Sequence, residues 1–417
     1  MALDSTCLEC DVAIVGGGIV GTTLAAALKP AGLRIAIVEA QCFTQGTARD
    51  RAYAITLLSA EILQGISAWP QILPQVAAFR QIHLSDADYS RFLPFLPQDL
   101  GREPLGYVAR HRTLLSALQT LTANCDTLHW LCPAQVTDVA YESTHAELSL
   151  ELNGQPQKLR TKLVVAADGS QSRLRRWAGI ATRGWKYWQS CVTFTIQHQS
   201  PRNDTAFERF SPAGPMGVLP LPGNRCQIVW TAPHAEAQAL QSLDPAAFIA
   251  KLEQHLGGLL DGIQLASDRL VFPVQLLQCD RYIAPRLALI GDAAHCCHPV
   301  GGQGLNLGLR DAAALAQVLQ EAYGQQEDLG EERVLRRYER WRKPENLVIL
   351  ALTDLLNRFF SNRWLPAVVA RRCGLEVLRY LPPFKRLLLE WMTGLRGRQP
   401  QISQTPPCPA TLSSSPL

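Results

Sequence analysis

Asp11–Glu39 runs DVAIVGGGIVGTTLAAALKPAGLRIAIVE. Val12–Val15 has the continuous apolar character of a buried strand, and Ile19–Leu28 that of a helix packed on it. Between them lies Gly16-x-Gly18-x-x-Gly21, and Arg34–Val38 supplies a second strand ending in Glu39. Strand, glycine turn, helix, strand and terminal acid in this order make a dinucleotide-binding unit. The glycines allow a tight turn, close approach of the backbone to a pyrophosphate, and tight helix-to-strand packing. The pyrophosphate belongs at the helix amino terminus, where free amides and peptide dipoles favour negative charge. Glu39 is placed to accept hydrogen bonds from an adenosine ribose, which suits NAD or FAD and disfavours the extra phosphate of NADP.

A second stretch, Leu287–Leu315, runs LALIGDAAHCCHPVGGQGLNLGLRDAAAL. Leu287–Ile290 reads as a short buried strand and Gly291 turns the chain. Asp292 follows at the strand's carboxyl end, where open α/β sheets hold their ligands. Gly301, Gly302 and Gly304 leave backbone amides bare for a flat or anionic group. Apolar residues resume helical spacing at Leu305. The glycine fingerprint occurs once in 417 residues, whereas separate flavin and nicotinamide domains would each carry one. A long cofactor reaching from the first turn to this distant loop fits FAD.

Composition bounds the alternatives. Hydrophobic residues are 47% and charged residues 18% of the chain, enough for a sizeable core and, at this length, for two domains. A formal net charge of +4 is too small to argue for nucleic acid as a partner. No run of eighteen apolar residues is present, so no transmembrane helix is expected. The opening MALDSTCLEC lacks the basic-then-apolar pattern of a secretory signal, and a cytoplasmic location is the expectation. The twelve cysteines are scattered, as reduced thiols are. Cys7-x-x-Cys10 has no partner pair, and the consecutive His295-Cys296-Cys297-His298 cannot readily converge on a tetrahedral ion. No metal site is expected.

Further segments carry a family resemblance. They are Arg51-Ala-Tyr-Ala-Ile, His111-Arg112-Thr-Leu-Leu-Ser-Ala-Leu, and Val164-Val-Ala-Ala-Asp168-Gly169 with Ser172 and Arg173. Glu208-Arg-Phe with Gly214-Pro215 and Leu219-Pro-Leu, together with the second stretch above, continue the series. All resemble the class A FAD-dependent aromatic hydroxylases. Thr353-Asp-Leu-Leu-Asn-Arg-Phe-Phe-Ser and Leu381-Pro-Pro-Phe-Lys-Arg resemble the branch that hydroxylates polyprenylated phenols in ubiquinone and related quinone biosynthesis. The resemblance covers residues 10 to about 395.

The resemblance implies an α/β fold. A Rossmann-type FAD-binding domain like that of para-hydroxybenzoate hydroxylase would interleave with an antiparallel β-sheet substrate domain, followed by carboxyl-terminal helices. It implies FAD as cofactor and NAD(P)H as reductant. Gly16, Gly18, Gly21, Glu39, Arg51, Arg112, Asp168, Asp292, Gly301, Gly302, Gly304 and Asn306 would bind the cofactor. Arg51 and Arg112 would lie beside the pyrophosphate and the flavin end, Asp292 would accept from the ribityl chain, and Pro299–Gly304 would line the isoalloxazine. Asn306 reads either as a helix cap or as a ring contact. His298 and Pro299 are the catalytic candidates, with His298 read as a proton relay or as an anchor of the loop.

The implied chemistry is hydroxylation of a prenylated phenol or quinone precursor by O2 through a flavin hydroperoxide. It demands exclusion of water and accurate placement of the ring; the base that activates the phenol is unidentified. Two alternatives share the fold: a flavin-dependent reductase of an isoprenoid, and a non-enzymatic flavoprotein redox sensor. A halogenase is disfavoured, because Lys29 is the only lysine between Gly21 and Ala48.

The expected organisation is interleaved. Residues 1–80, 104–184 and 274–330 form the FAD-binding domain, and 81–103 with 185–273 the substrate sheet, with strands at Gln189–Gln197, Ala206–Phe210, Met216–Leu221 and Arg225–Thr231. Residues 331–398 are helical, interrupted at Pro344, and the Pro/Ser-rich 399–417 form a disordered tail. Between Arg358 and Arg398 nine Lys/Arg stand against Glu376 and Glu390, interleaved with Trp364, Leu387–Leu389 and Trp391. This segment reads either as a peripheral membrane-docking surface for a lipid-borne substrate or as a helical cap with a solvated basic face. The expected ligand is a lipophilic aromatic small molecule, and a separate reductase or biosynthetic complex stays open as a partner.

Overall fold

A computed structural model describes residues 7–41, 51–86, 92–123 and 125–404. The first six residues, the segment 42–50 that continues past Glu39, and 405–417 of the expected tail lie outside the described residues. Leu8–Val15 pairs in parallel with Ile35–Val38 on one side and Gln155–Ala166 on the other. Leu128–Leu131 and Leu287–Leu289 extend the parallel run at its two ends. Val12–Ile14 and Ile35–Val38 are buried on both faces, which is why they read as continuous apolar runs rather than alternations. Antiparallel strands such as Ala146–Leu152 complete an eight-stranded sheet.

The second sheet has nine strands. Its spine is Thr182–Gln197, which pairs antiparallel with Arg225–Pro233 and Leu270–Cys279. Thr182–Gln197 and Leu270–Cys279 run unbroken through the positions 184/185 and 273/274 at which the two domains were expected to part. One pair is parallel: Thr205–Phe210 lies beside Gln81–Asp86, the first strand of the excursion 81–103. Residues 234–256, expected within the sheet region, form two helices, His234–Ser242 and Pro245–Leu256. Phe248, Leu252 and Leu256 recur at helical spacing and bury against Phe194 and Trp230, covering the outer face of the sheet. A small third sheet of Ala52–Ile55, Ala77–Phe79 and Gly106–Arg110 was not anticipated.

Two expectations about the carboxyl-terminal region are corrected. Glu332–Phe360 is one helix through Pro344, because contacts on both sides of the proline outweigh its lost amide. Arg342 donates to Asn346 across it, and both side chains are held by Asp311 at 2.9 Å. Residues 399–404 are folded: Gln401–Gln404 is a short 3-10 turn, and the Ile402 carbonyl sits so close to Gly65 that no Cβ would fit there.

Helices Leu365–Tyr380 and Pro382–Thr393 follow. Phe360, Leu375 and Leu389 pack on Phe95, Leu100, Phe210 and Leu221. Two ion pairs lock this cap to the body of the protein: the buried pair Arg371 to Asp86 of the second sheet at 2.8 Å, and Lys385 to Asp99 of the short helix Pro97–Leu100 at 2.6 Å. No helix among the described residues is long and apolar enough to cross a membrane.

Candidate active site

A cavity of about 690 Å³ lies between the two sheets. One wall holds the starts of two helices, Ile19–Leu28 and Gln303–Gly324. Their N-caps are Gly18 and Gly302, and neither has a side-chain cap. The first-turn amides therefore lack intrahelical acceptors and add positive potential to the same space.

The three glycines of the first turn differ in function. A Cβ at Gly16 would stand 2.3 Å from the Ala167 carbonyl oxygen, and one at Gly21 would stand 2.1 Å from the Gly16 oxygen. Those two permit protein to pack on protein. A Cβ at Gly18 would meet nothing within 4 Å, and Gly18 lines the cavity. It is the position where a ligand can approach the backbone.

The acids form a graded set. Glu39 ends the second strand and accepts from the Gly17 amide at 2.7 Å and the Gln41 amide at 2.8 Å. Asp168 follows the Gln155–Ala166 strand; one carboxylate oxygen accepts from the Arg173 amide at 2.9 Å, while the other is buried without a partner. Arg175, unnoticed in the sequence, donates to the carbonyls of Ser170 and Ala293 at 2.8 Å. It ties the Asp168 turn to the Asp292 turn. Asp292 opens onto the cavity, and loss of hydration raises its carboxyl above the ordinary range, against the pull of His295.

The two arginines part company. The Arg51 guanidinium lies over the Phe272 ring at 4.5 Å, on the side of the second sheet, and its buried Nε has no partner. Arg112 is exposed at the start of the His111–Ala123 helix, outside the cavity lining.

The loop 291–304 is held from behind. Gly301 and Gly302 adopt φ of 65° and 60°, the left-handed region that favours glycine. Asn306 is fully buried; it accepts from the Thr56 amide at 2.9 Å and donates to the carbonyls of Ala54 and Gly302 at 2.8 Å. It pins the loop to the third sheet and does not line the cavity. His298 is also buried outside the lining, with Nδ1 accepting from the Val300 amide at 3.3 Å and its ring edge-on to Tyr187. Burial lowers its pKa to about 3. That geometry is an anchor, while Pro299 does line the cavity. The four neighbours His295, Cys296, Cys297 and His298 do not converge: His295 turns to Asp311 at 2.6 Å, and Cys296 to the Asp292 carbonyl.

Asp311 is the hub that the sequence reading missed. It accepts from the Gly291 amide at 3.1 Å and from His295, Arg342 and Asn346. Burial alone would raise its carboxyl, but His295 and Arg342 outweigh this and hold it at about 2. Arg342 and Asn346 arrive from a helix more than thirty residues downstream, so no local spacing could reveal the cluster.

The facing wall is largely apolar, with Leu219, Val229 and Phe272 among its lining residues. Glu208 interrupts it. It belongs to the Glu208-Arg-Phe motif, to which the sequence alone attached no role.

Comparison with known proteins agrees with this architecture. The FAD binding domain family matches residues 9–348. An uncharacterized protein of Synechocystis sp. is 54% identical over 94% of this chain and 95% of its own length. The ubiquinone hydroxylase UbiL of Rhodospirillum rubrum is 35% identical over 92% of this chain and 89% of its own. Among solved structures, p-nitrophenol 4-monooxygenase PnpA of Pseudomonas putida superposes with a TM-score of 0.77 at 19% identity, over 93% of this chain and 100% of that one, a likeness of fold. The chain is thus a member of the FAD-dependent aromatic hydroxylase family, on the branch that holds the ubiquinone-biosynthesis hydroxylases.

Proposed function

We propose that this FAD-dependent monooxygenase hydroxylates a prenylated phenol or quinone precursor, with NAD(P)H as reductant. One observation carries the reading: a single cavity has two uncapped helix starts on one wall and an apolar sheet on the other. The printed name of the R. rubrum relative, a ubiquinone hydroxylase, supports the substrate class. FAD, when bound, supplies the redox and oxygen-activating chemistry.

The residues fit such a group. Gly18 and the first-turn amides after it would hold the pyrophosphate, and Glu39 the adenosine ribose. Asp292 and the unpaired oxygen of Asp168 would accept hydroxyl or amide donors of the cofactor. Amides at Gly301–Gly304 would face the electron-rich edge of the ring, where fixed donors stabilise negative charge. Arg51 would offer its free Nε from the sheet side. Leu219, Val229 and Phe272 would hold the phenol and keep water out.

The carboxyl-terminal cap would dock on a membrane that supplies the lipid-borne substrate. The structure changes the ground for that idea. Of the nine basic residues counted above, Arg371 and Lys385 are buried in ion pairs, and Arg358, Arg379, Arg386 and Arg396 pair with nearby acids. The apolar surface now carries it: Trp364, Leu365, Tyr380 and Phe384 are 60–73% exposed on neighbouring helices, a pattern suited to the lipid interface. The same cap reaches the loop, since Met392 abuts Gly301 and its carbonyl accepts from Gln303 at 3.1 Å.

One experiment tests both parts. FAD-loaded protein is mixed with NADPH or NADH and phosphatidylcholine–phosphatidylglycerol vesicles carrying 2-geranylphenol. Expected are dioxygen uptake above the phenol-free rate, a product one oxygen atom heavier, and sedimentation of the protein with the vesicles. Consumption of NAD(P)H without oxygen uptake would move the chain to the reductase reading. Activity on detergent-dispersed phenol with no sedimentation at low salt would remove the docking surface alone.

A further inference from the structure

The proposed reaction needs a group to take the phenolic proton, and the substrate wall holds one carboxyl, Glu208 on the Thr205–Phe210 strand. Strand alternation puts Glu208 on the same face as Ala206 and Phe210, which pack with Val300 of the loop. Its Oε2 accepts a long hydrogen bond from the Gly301 amide, 3.3 Å. No cation pairs with it among the described ion pairs, and the cross-strand residue on the Met216–Leu221 strand is Gly217, which leaves open room on that side. A carboxylate at this spot faces both the loop and the space for the ring.

The neighbours are mostly elsewhere engaged. On the Gln81–Asp86 strand, Asp86 is tied to Arg371, and His83 stacks on Phe92. The Met216–Leu221 strand and the loop segment Val300–Gly302 contain no titratable side chain. From Thr182–Gln197 comes Cys191, a thiol pushed up to about 12 by burial, and Lys186 stands exposed among the lining residues. Arg51 lies over Phe272, and Arg209 points to Gly257. Asp292, the other acid lining the cavity, belongs to the opposite wall. Loss of hydration thus acts nearly unopposed on Glu208 and raises its carboxyl to about 7, the Gly301 amide pulling weakly the other way. A general base works best with a pKa near the working pH.

We propose that Glu208 is the catalytic residue that accepts the phenolic proton; this rests on the hydroxylase reading above. The phenol O–H bond breaks, its electron pair stays on oxygen, and the proton forms a new O–H bond on the Glu208 carboxylate. The phenolate has more electron density on its ortho and para carbons, where an electrophilic oxygen adds. When the ring regains aromaticity, the substituted carbon loses its proton to solvent, and Glu208 returns its own to the phenolate oxygen. The carboxylate ends as it began.

The test compares wild type, Glu208→Gln and Glu208→Asp as FAD-loaded proteins, with 2-geranylphenol in detergent. The readouts are hydroxylated product formed and NAD(P)H oxidised, from pH 6 to 10. Wild-type hydroxylation should rise through about pH 7 and level off. Glu208→Gln should form product about 100-fold more slowly at neutral pH, a typical cost of losing a general base, with far less effect on NAD(P)H oxidation. Its deficit should shrink as pH approaches about 10, where a phenol ionises unaided. Glu208→Asp should recover part of the rate. Product formation by Glu208→Gln within a few-fold of wild type across this range would overturn the assignment and leave the hydroxylase reading standing. A wild type that makes no hydroxylated product would overturn both. Bound FAD, read from the visible spectrum, checks that each variant is folded; if Gln loses FAD, the pH profile of Asp decides, and an unshifted, undiminished profile rejects the base.

Discussion

Two carboxylates flank the same loop and have opposite fates. Asp311, behind it, receives four donors and lies at about 2. Glu208, in front, receives one amide at 3.3 Å and rises to about 7. Asp311 is fully buried and Glu208 half-buried, so burial alone does not explain why Asp311 is the lower of the two. The number and charge of their partners does. A saturated carboxylate holds a shape; an under-served one is left with an appetite for a proton.

The strongest way to break this contrast is to truncate Asp311. Asp311→Ala leaves Arg342 and His295 buried beside a hole, and losing one partner of a buried pair costs about 3–5 kcal/mol. Urea unfolding measures it, and a loss under about 1 kcal/mol would deny the hub its role. The pH dependence follows the sign of the shift. A carboxyl depressed in the folded state contributes fully above its unfolded value, about 3.9, and that contribution fades as pH falls toward about 2.

Glu208 should behave in reverse. A carboxyl raised by folding binds its proton more tightly in the folded chain, so stability drops as pH climbs from about 4.3 to about 7 and is then level. Glu208→Gln should remove that decline, making the chain more stable than wild type at pH 8 by on the order of 1–3 kcal/mol. Equal unfolding midpoints at pH 5 and pH 8 in the wild type would contradict it.

The same chemistry at the surface sharpens the contrast with the smallest effect. Glu390 pairs with Arg386 at 2.9 Å and Arg396 at 3.5 Å, both arginines well exposed. Glu390→Gln should shift stability by less than about 1 kcal/mol in the same urea titration.

The cofactor half was legible in advance because its signals are local. Ile19–Leu28 is a helix at both expected ends, and Gly18 faces the cavity as the turn requires. The strand at Met216–Leu221 likewise has the expected bounds. Pro344 misled because a local rule was applied where distant partners decide, and the helices over 234–256 were missed because the neighbouring strands dominated the reading. Asn306 and His298 each allowed a structural and a functional reading in the sequence, and the contacts that hold the loop from within are visible only in three dimensions.

What the amino-acid order determined by itself was the nucleotide-binding unit and the glycine loop, since contiguous residues carry both the turn geometry and the apolar periodicity. Only the tertiary structure decided which acids are anchors and which can move a proton. A carboxyl's proton affinity depends on the water it has lost and the charges it has met, and for Asp311 and Glu208 those come from segments about 30 and 90 residues away.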